Sequence, residues 1–170
     1  KQGFPVDRRD PRGVTALMHA STRGATYAMK ALIDAGADTN TRAVNGITPL
    51  MQAASNNRTE AIALLLKHKA DPNARHEQTG ATALHWTAGA GRLAPTLALL
   101  EGKADPNIQD KAGRTPLMVA ADSGSIEVVK ALLDAKADKR LIDNKGQSAA
   151  EWAKKKKHAE VLKLLDPAQE

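Results

Sequence analysis

The chain carries side chains that hydrolytic, metal and phosphate chemistry draw on, but not the spacings that would put them to work. His19, His68, His76, His85 and His158 are the natural bases or metal ligands. No two of them stand three or four residues apart, so none share a helix face as paired zinc ligands do. No cysteine is present, which removes thiol nucleophiles, disulfides and Cys-based zinc sites. Serines occur, but no spacing pairs one with a base and an oxyanion donor. The segment AGAGR at 88–92 lies between two expected helices rather than after a strand, so it does not read as a phosphate loop. The run KKKK at 154–157 could meet a polyanion or a membrane surface. Its plainer role is the solvated face of a terminal helix, since basic and acidic residues are interleaved elsewhere. Bases would also need stacking rings that are almost absent. No catalytic, metal or cofactor site is therefore expected, and neither nucleic-acid binding nor membrane insertion.

The elements that position these residues have an unusual composition. Of 170 residues, 42% are apolar but only 2% aromatic. Such a core is built from Ala and Leu, which suits small helices in close approach. No apolar run nears the ~18–20 residues that span a bilayer. The compartment stays open: a soluble chain, cytoplasmic or exported, whose start at Lys1 reads as a fragment or a processed product. A formal net charge of +6 favours a partner with an acidic or mixed surface.

The order in the sequence is periodic. TALM from Thr15, TPLM from Thr48, TALH from Thr82, TPLM from Thr115 and SAAE from Ser148 start at intervals of 33, 34, 33 and 33 residues. A glycine precedes each by two: Gly13, Gly46, Gly80, Gly113 and Gly146. A second block, GADTN, KADPN, KADPN and KADKR, keeps the same period. Thr or Ser predicts a helix N-cap, and Pro49 and Pro116 suit the first helical position. Gly24, Gly91 and Gly124, with Asn57, predict left-handed helix ends. A second helix follows in each unit, as in SIEVVKALLDA, with Ile126, Val129, Leu132 and Leu133 at helical spacing.

These motifs resemble the ankyrin repeat family, whose unit of about 33 residues carries G-x-T-P-L-H-x-A. The resemblance implies an all-α solenoid: helix-turn-helix units joined by β-hairpin-like loops, in a right-handed curved stack with a concave binding face. One domain over 1–170 is expected, with units at about 6–38, 39–71, 72–105, 106–138 and 139–170. The last, rich in lysine and without Pro, reads as a C-terminal cap. At the other end, either Phe4 and Tyr27 cover the first unit or an earlier repeat once preceded it. Lys69, Lys103 and Lys136 stand where the family commonly has Gly. His85, at the His position of the motif, is implied to make a structural hydrogen bond.

The resemblance implies a non-catalytic module that binds a partner protein through the concave face and loop tips, with inhibition by occlusion as one mode. It is expected to be a monomer. The alternatives are a basic-surface binder of nucleic acid or an acidic ligand, or a repeat fragment of a larger protein. Phase places candidate contacts on the face: Arg12, Asn45 and Arg114 at loop tips, and Gln52, Asn56 and Asp122 on first helices. Both tryptophans, Trp86 and Trp152, fall four residues after a cap. Trp86, in the middle unit beside small Gly89 and Ala90, is read as the central anchor, since Trp and Arg dominate hot spots. Trp152 is included, with packing as its first role. The extra residue between Asn73 and Gly80 is expected to make the third loop protrude, with Arg75, His76 and Glu77 near its tip.

Overall fold

A computed structural model of the chain describes residues 5–166. Within them ten helices run in five pairs: α1 (Ala16–Arg23) with α2 (Thr26–Asp34), α3 (Pro49–Ser55) with α4 (Thr59–Lys67), α5 (Ala83–Gly89) with α6 (Leu93–Glu101), α7 (Pro116–Ser123) with α8 (Ile126–Asp134), and α9 (Ala149–Lys156) with α10 (Ala159–Leu165). Among the described residues the only β feature is an isolated antiparallel bridge between Ile142 and Ser148. Each helix has seven to nine residues. That is too short to hold in isolation. The fold therefore rests on local end signals plus stacking.

The end signals are those the sequence carries. Thr15, Thr48, Thr82, Thr115 and Ser148 are the N-caps of α1, α3, α5, α7 and α9. Gly24, Gly91 and Gly124 take left-handed φ at the turns, and Asn57 does so at φ 59°. Lys69, Lys103 and Lys136 are also left-handed, at φ 65°, 64° and 66°. A residue with a Cβ pays roughly 1–2 kcal/mol there, partly offset by the greater unfolded-state freedom of Gly. Lys103→Gly is therefore expected to stabilise the fold by about 0.5–1 kcal/mol. A urea midpoint that stays put or falls would contradict this.

First helices stack on first helices and second on second, α1 through α9 and α2 through α10. Leu17, Leu50, Leu84 and Leu117 occupy one column and are buried, and Leu65, Leu99, Leu132 and Leu165 another. Fully buried Ala53, Ala88, Ala120 and Ala153 let the helices approach closely. The middle unit departs from this pattern. Thr87 and Thr96 are buried there, and they satisfy each other: Thr96 Oγ1 donates to Thr87 Oγ1 (3.0 Å), which donates to the Leu84 carbonyl (3.3 Å).

Tyr27 does not cover the first unit, because it is 90% exposed. Its place on α2 is the solvent-facing one filled by Glu60, Glu127 and Glu160 in other units. Phe4 lies outside the described residues.

Neighbouring units are also tied by side chains that repeat in register. Arg58 donates to the Thr22 carbonyl (3.2 Å), Arg92 to those of Ala54 and Ser55 (3.0 and 2.9 Å), Ser125 to Gly91 (3.4 Å) and His158 to Asp122 (3.1 Å). Each reaches the C-terminal end of the preceding first helix or its turn, where free carbonyls and the helix dipole favour a donor. In the ADTN and ADPN blocks, Asn40, Asn73 and Asn107 accept from the N–H of Asp71, Asp105 and Asp138 at 2.7–2.8 Å.

Candidate partner-binding face

The loop before each first helix is a tight hairpin that sets the rim of the face. Asp10, Asp110 and Asp143 each accept N–H groups two and four residues ahead with Oδ1, at 2.8–2.9 Å. Four of the loops close with a glycine N–H donating three residues back, as Gly113 does to Asp110 (3.0 Å). The third loop closes four residues back, Gly80 to His76 (2.7 Å). The extra residue thus lies between His76 and Gly80, inside the turn. His76 Nδ1 takes over the aspartate's role and accepts from the Thr79 N–H (3.3 Å). The tip is therefore His76 to Thr79, with Glu77 exposed on it.

Arg75 is not at that tip. Its Nη2 donates to the Gln109 carbonyl (2.5 Å) in a ladder with Arg9 to Arg42 (3.0 Å), Arg42 to Arg75 (3.1 Å) and Gln109 to Ile142 (2.8 Å). The periodic recurrence of Arg9, Arg42 and Arg75 was the available sequence signal for this role.

The remaining candidates share one face but not one ring. Arg12, Asn45 and Gln52 line a groove of about 520 Å³ between the first two units, with Pro11, Val14, His19 and Val44. Trp86, Arg114 and Asp122 line a second groove of about 350 Å³ between units three and four, with Thr79, Gly89 and Val119. Trp152 adjoins this second site across Val119 and Asp122. Gln52 and Asn56 are partly engaged: Gln52 Oε1 accepts from Thr22 (3.2 Å), and Asn56, at the C-terminal end of α3 and outside the groove lining, donates to the Gln52 carbonyl (2.8 Å).

The two tryptophans differ in how they are held. The Trp152 indole N–H donates to Asp143 Oδ2 (3.2 Å), and Lys155 Nζ lies 5.5 Å from the ring centre. Burial works to raise the Asp143 carboxyl, but hydrogen bonds from Gln147, Lys145 and Trp152 outweigh it and hold the group below its ordinary value. Trp86 is half-buried and meets the His76 ring edge-on at 5.7 Å. Among the described residues its indole N–H has no protein acceptor. Arg114 is fixed by Asp110, with Nε and Nη2 at 2.9 and 2.8 Å from Oδ2. Asp122 lies 3.1 Å from Lys156.

His85 lies beneath the second groove, 4% exposed. Nδ1 accepts from the Thr82 N–H (3.1 Å) and Nε2 donates to the Arg114 carbonyl (2.9 Å), which assigns the proton to Nε2. It is a structural tie between units, as the motif implied. Among the described residues no group of three His, Asp or Glu side chains could hold a metal ion. No described helix is long and apolar enough to cross a membrane.

Stacked helix pairs, hairpin rims and a grooved inner face define a repeat solenoid of the interaction-scaffold class. The family model for ankyrin repeats (3 copies) matches residues 2–76, 18–102 and 84–169. The chain belongs to the ankyrin repeat family, whose members are generally protein–protein interaction modules and typically not enzymes. Comparison with individual curated proteins gives no match.

Proposed function

We propose that the chain binds a partner protein through the loop tips and first helices of its concave face, with Trp86 as an anchor. The observation that supports this reading most is the state of Trp86. A large ring stands half-exposed at the edge of a 350 Å³ groove, braced by His76, with an indole N–H left over for an incoming acceptor. A braced ring loses little freedom on binding, which favours affinity. Occlusion of the partner's own working surface is the simplest consequence of such binding, so the proposed role is an inhibitor or regulator.

The test is quantitative capture of partners from the source cells by the wild-type chain and by Trp86→Ala, both first checked for helical circular dichroism. Affinity for the principal partner is expected to fall at least about tenfold. Equal retention by a folded Trp86→Ala chain would remove Trp86 from the site.

A further inference from the structure

We propose that units three to five receive an acidic segment of the partner that carries apolar side chains, seated along the column Trp86, Val119 and Trp152. This rests on the binding role above and narrows it to one half of the face and one chemistry.

Three observations converge. The fourth residue after each cap is His19 and Gln52 in the first two units, but Trp86, Val119 and Trp152 in the last three. All three are half-buried and pack against the core, so they form one continuous apolar column. Cations flank that column on both sides. Lys111, Arg114 and Lys145 lie on the loop side, and Lys155 and Lys156 toward the helix ends. The nearby carboxylates balance only two of them. Asp110 is paired with Arg114 (2.8 Å) and Asp122 with Lys156 (3.1 Å), while Asp143 is tied to its own hairpin and to Trp152, so Lys111, Lys145 and Lys155 have no carboxylate partner among the described residues. Of the exposed acids, Glu77 stands on the preceding loop tip against Gly46 of the second unit, and Glu151, next to Trp152, accepts the Ser148 N–H. Arg114 Nη1 has no protein acceptor among the described residues and stands at the groove rim. Finally, both rings are braced before any ligand arrives, Trp86 by His76 and Trp152 by Asp143.

The geometry sets the spacing of the segment. Packed helices lie about 8–10 Å apart, so Trp86 and Trp152 are about 16–20 Å apart across two steps. An extended chain advances ~3.3 Å per residue. Two apolar side chains about five or six residues apart, with carboxylates between them, therefore reach both ends of the column. The apolar groups take the Trp86–Val119 groove and the Trp152 ring. The carboxylates face Arg114, Lys111 and Lys145.

The probe is a synthetic peptide of Glu and Ser bearing two Leu six residues apart, titrated into the full chain by tryptophan fluorescence and calorimetry. Two control peptides replace Glu by Lys or Leu by Ser. The acidic Leu peptide is expected to bind and shift the fluorescence, and each control to bind at least about tenfold more weakly. Lys111→Glu/Lys145→Glu should weaken the acidic peptide about tenfold, while Lys67→Glu/Lys130→Glu, the same charge change on exposed positions of the second helices α4 and α8, leaves it unchanged. Equal binding of the Lys peptide, or no binding of the acidic one at millimolar concentration, overturns the proposal. So does tighter binding of heparin or oligo-dT than of the peptide, which would mark the column as a polyanion site. If the cellular partner is lost by Trp86→Ala but kept by the Lys111/Lys145 reversal, the acidic-segment inference fails and the binding role stands. If Trp86→Ala keeps the partner, the binding role itself fails.

Discussion

Gly113→Ala is expected to destabilise the protein by about 3 kcal/mol or more, and Gly146→Ala by only about 1 kcal/mol. The two glycines hold the same place in consecutive hairpins and nearly the same φ, 77° and 74°. Left-handed strain, less the gain from a stiffer unfolded chain, is therefore common to both. What differs is the next unit. A Cβ on Gly113 would lie 2.5 Å from Asn144 Oδ1, 2.7 Å from Asn144 N and 3.0 Å from Asp143 C. Two of those atoms are backbone and cannot rotate away. A Cβ on Gly146, in the last unit, meets nothing within 4 Å.

To admit the methyl group, the hairpin of unit five must move. That strains the Asn144 N–H bond to the Ala112 carbonyl and the Asn144 Nδ2 bond to the Lys111 carbonyl, both 3.0 Å. Units in a solenoid depend on their neighbours, so α9 and α10 should lose their coupling to the rest. Urea unfolding should show the larger loss for Gly113→Ala. Amide exchange should localise early opening to residues of unit five. Equal losses in the two variants would show that φ alone, not contact between units, requires the glycine.

This contrast explains what was legible in the sequence. Caps, Pro at the helix start and left-handed helix ends are set by residues next to one another, so Thr48–Pro49 and Gly24 announce themselves in any window. The period then orders the units, and phase alone assigns Arg12, Asn45, Gln52, Trp86, Arg114 and Asp122 to one face. Phase does not say which of these meet. Arg12 and Arg114 both fall on hairpin rims, three and one residues before their caps, yet they line different grooves because the units between them hold them apart. Nor does phase say where a long side chain goes. Arg75 is exposed, as its position suggests, but its guanidinium is drawn to a carbonyl 34 residues on. Tyr27 shows the same limit at an end of the stack, where an aromatic residue fell on a column that faces water.

His85→Ala is expected to cost about 3 kcal/mol at pH 7.5, and replacement of His85 also exposes a pH dependence of the wild type. The Thr82 N–H is buried, and His85 Nδ1 is its acceptor. Removing the ring orphans that donor, at roughly 1–3 kcal/mol, and leaves a cavity. The Arg114 carbonyl suffers less, because the Asp110 N–H also donates to it (2.8 Å). The chain supplies its own milder substitute. In the fourth unit Met118 occupies this position, and its Sδ accepts from the Thr115 N–H at 3.4 Å. His85→Met should therefore keep an acceptor, lose the tie to Arg114 and cost only about 1 kcal/mol.

The pH behaviour follows from the same bonds. Burial pushes the His85 imidazole below its ordinary range, and the Arg114 carbonyl and Asp110 only partly restore it. A second proton would also turn Nδ1 toward the Thr82 N–H as a donor facing a donor. As pH falls through about 6.5, the unfolded chain takes up this proton first. His85's contribution to stability is thus full above that pH and is lost below it, by at most about 1.4 kcal/mol per pH unit, until the folded ring also protonates. The carboxylates held low, such as Asp143, act only below their ordinary value of 3.8. Urea midpoints at pH 7.5 and 5.0 should accordingly fall further for the wild type than for His85→Met, narrowing the gap between them. Parallel declines would mean that protonation of His85 does not oppose the fold, and that the tie between units three and four tolerates a charged ring.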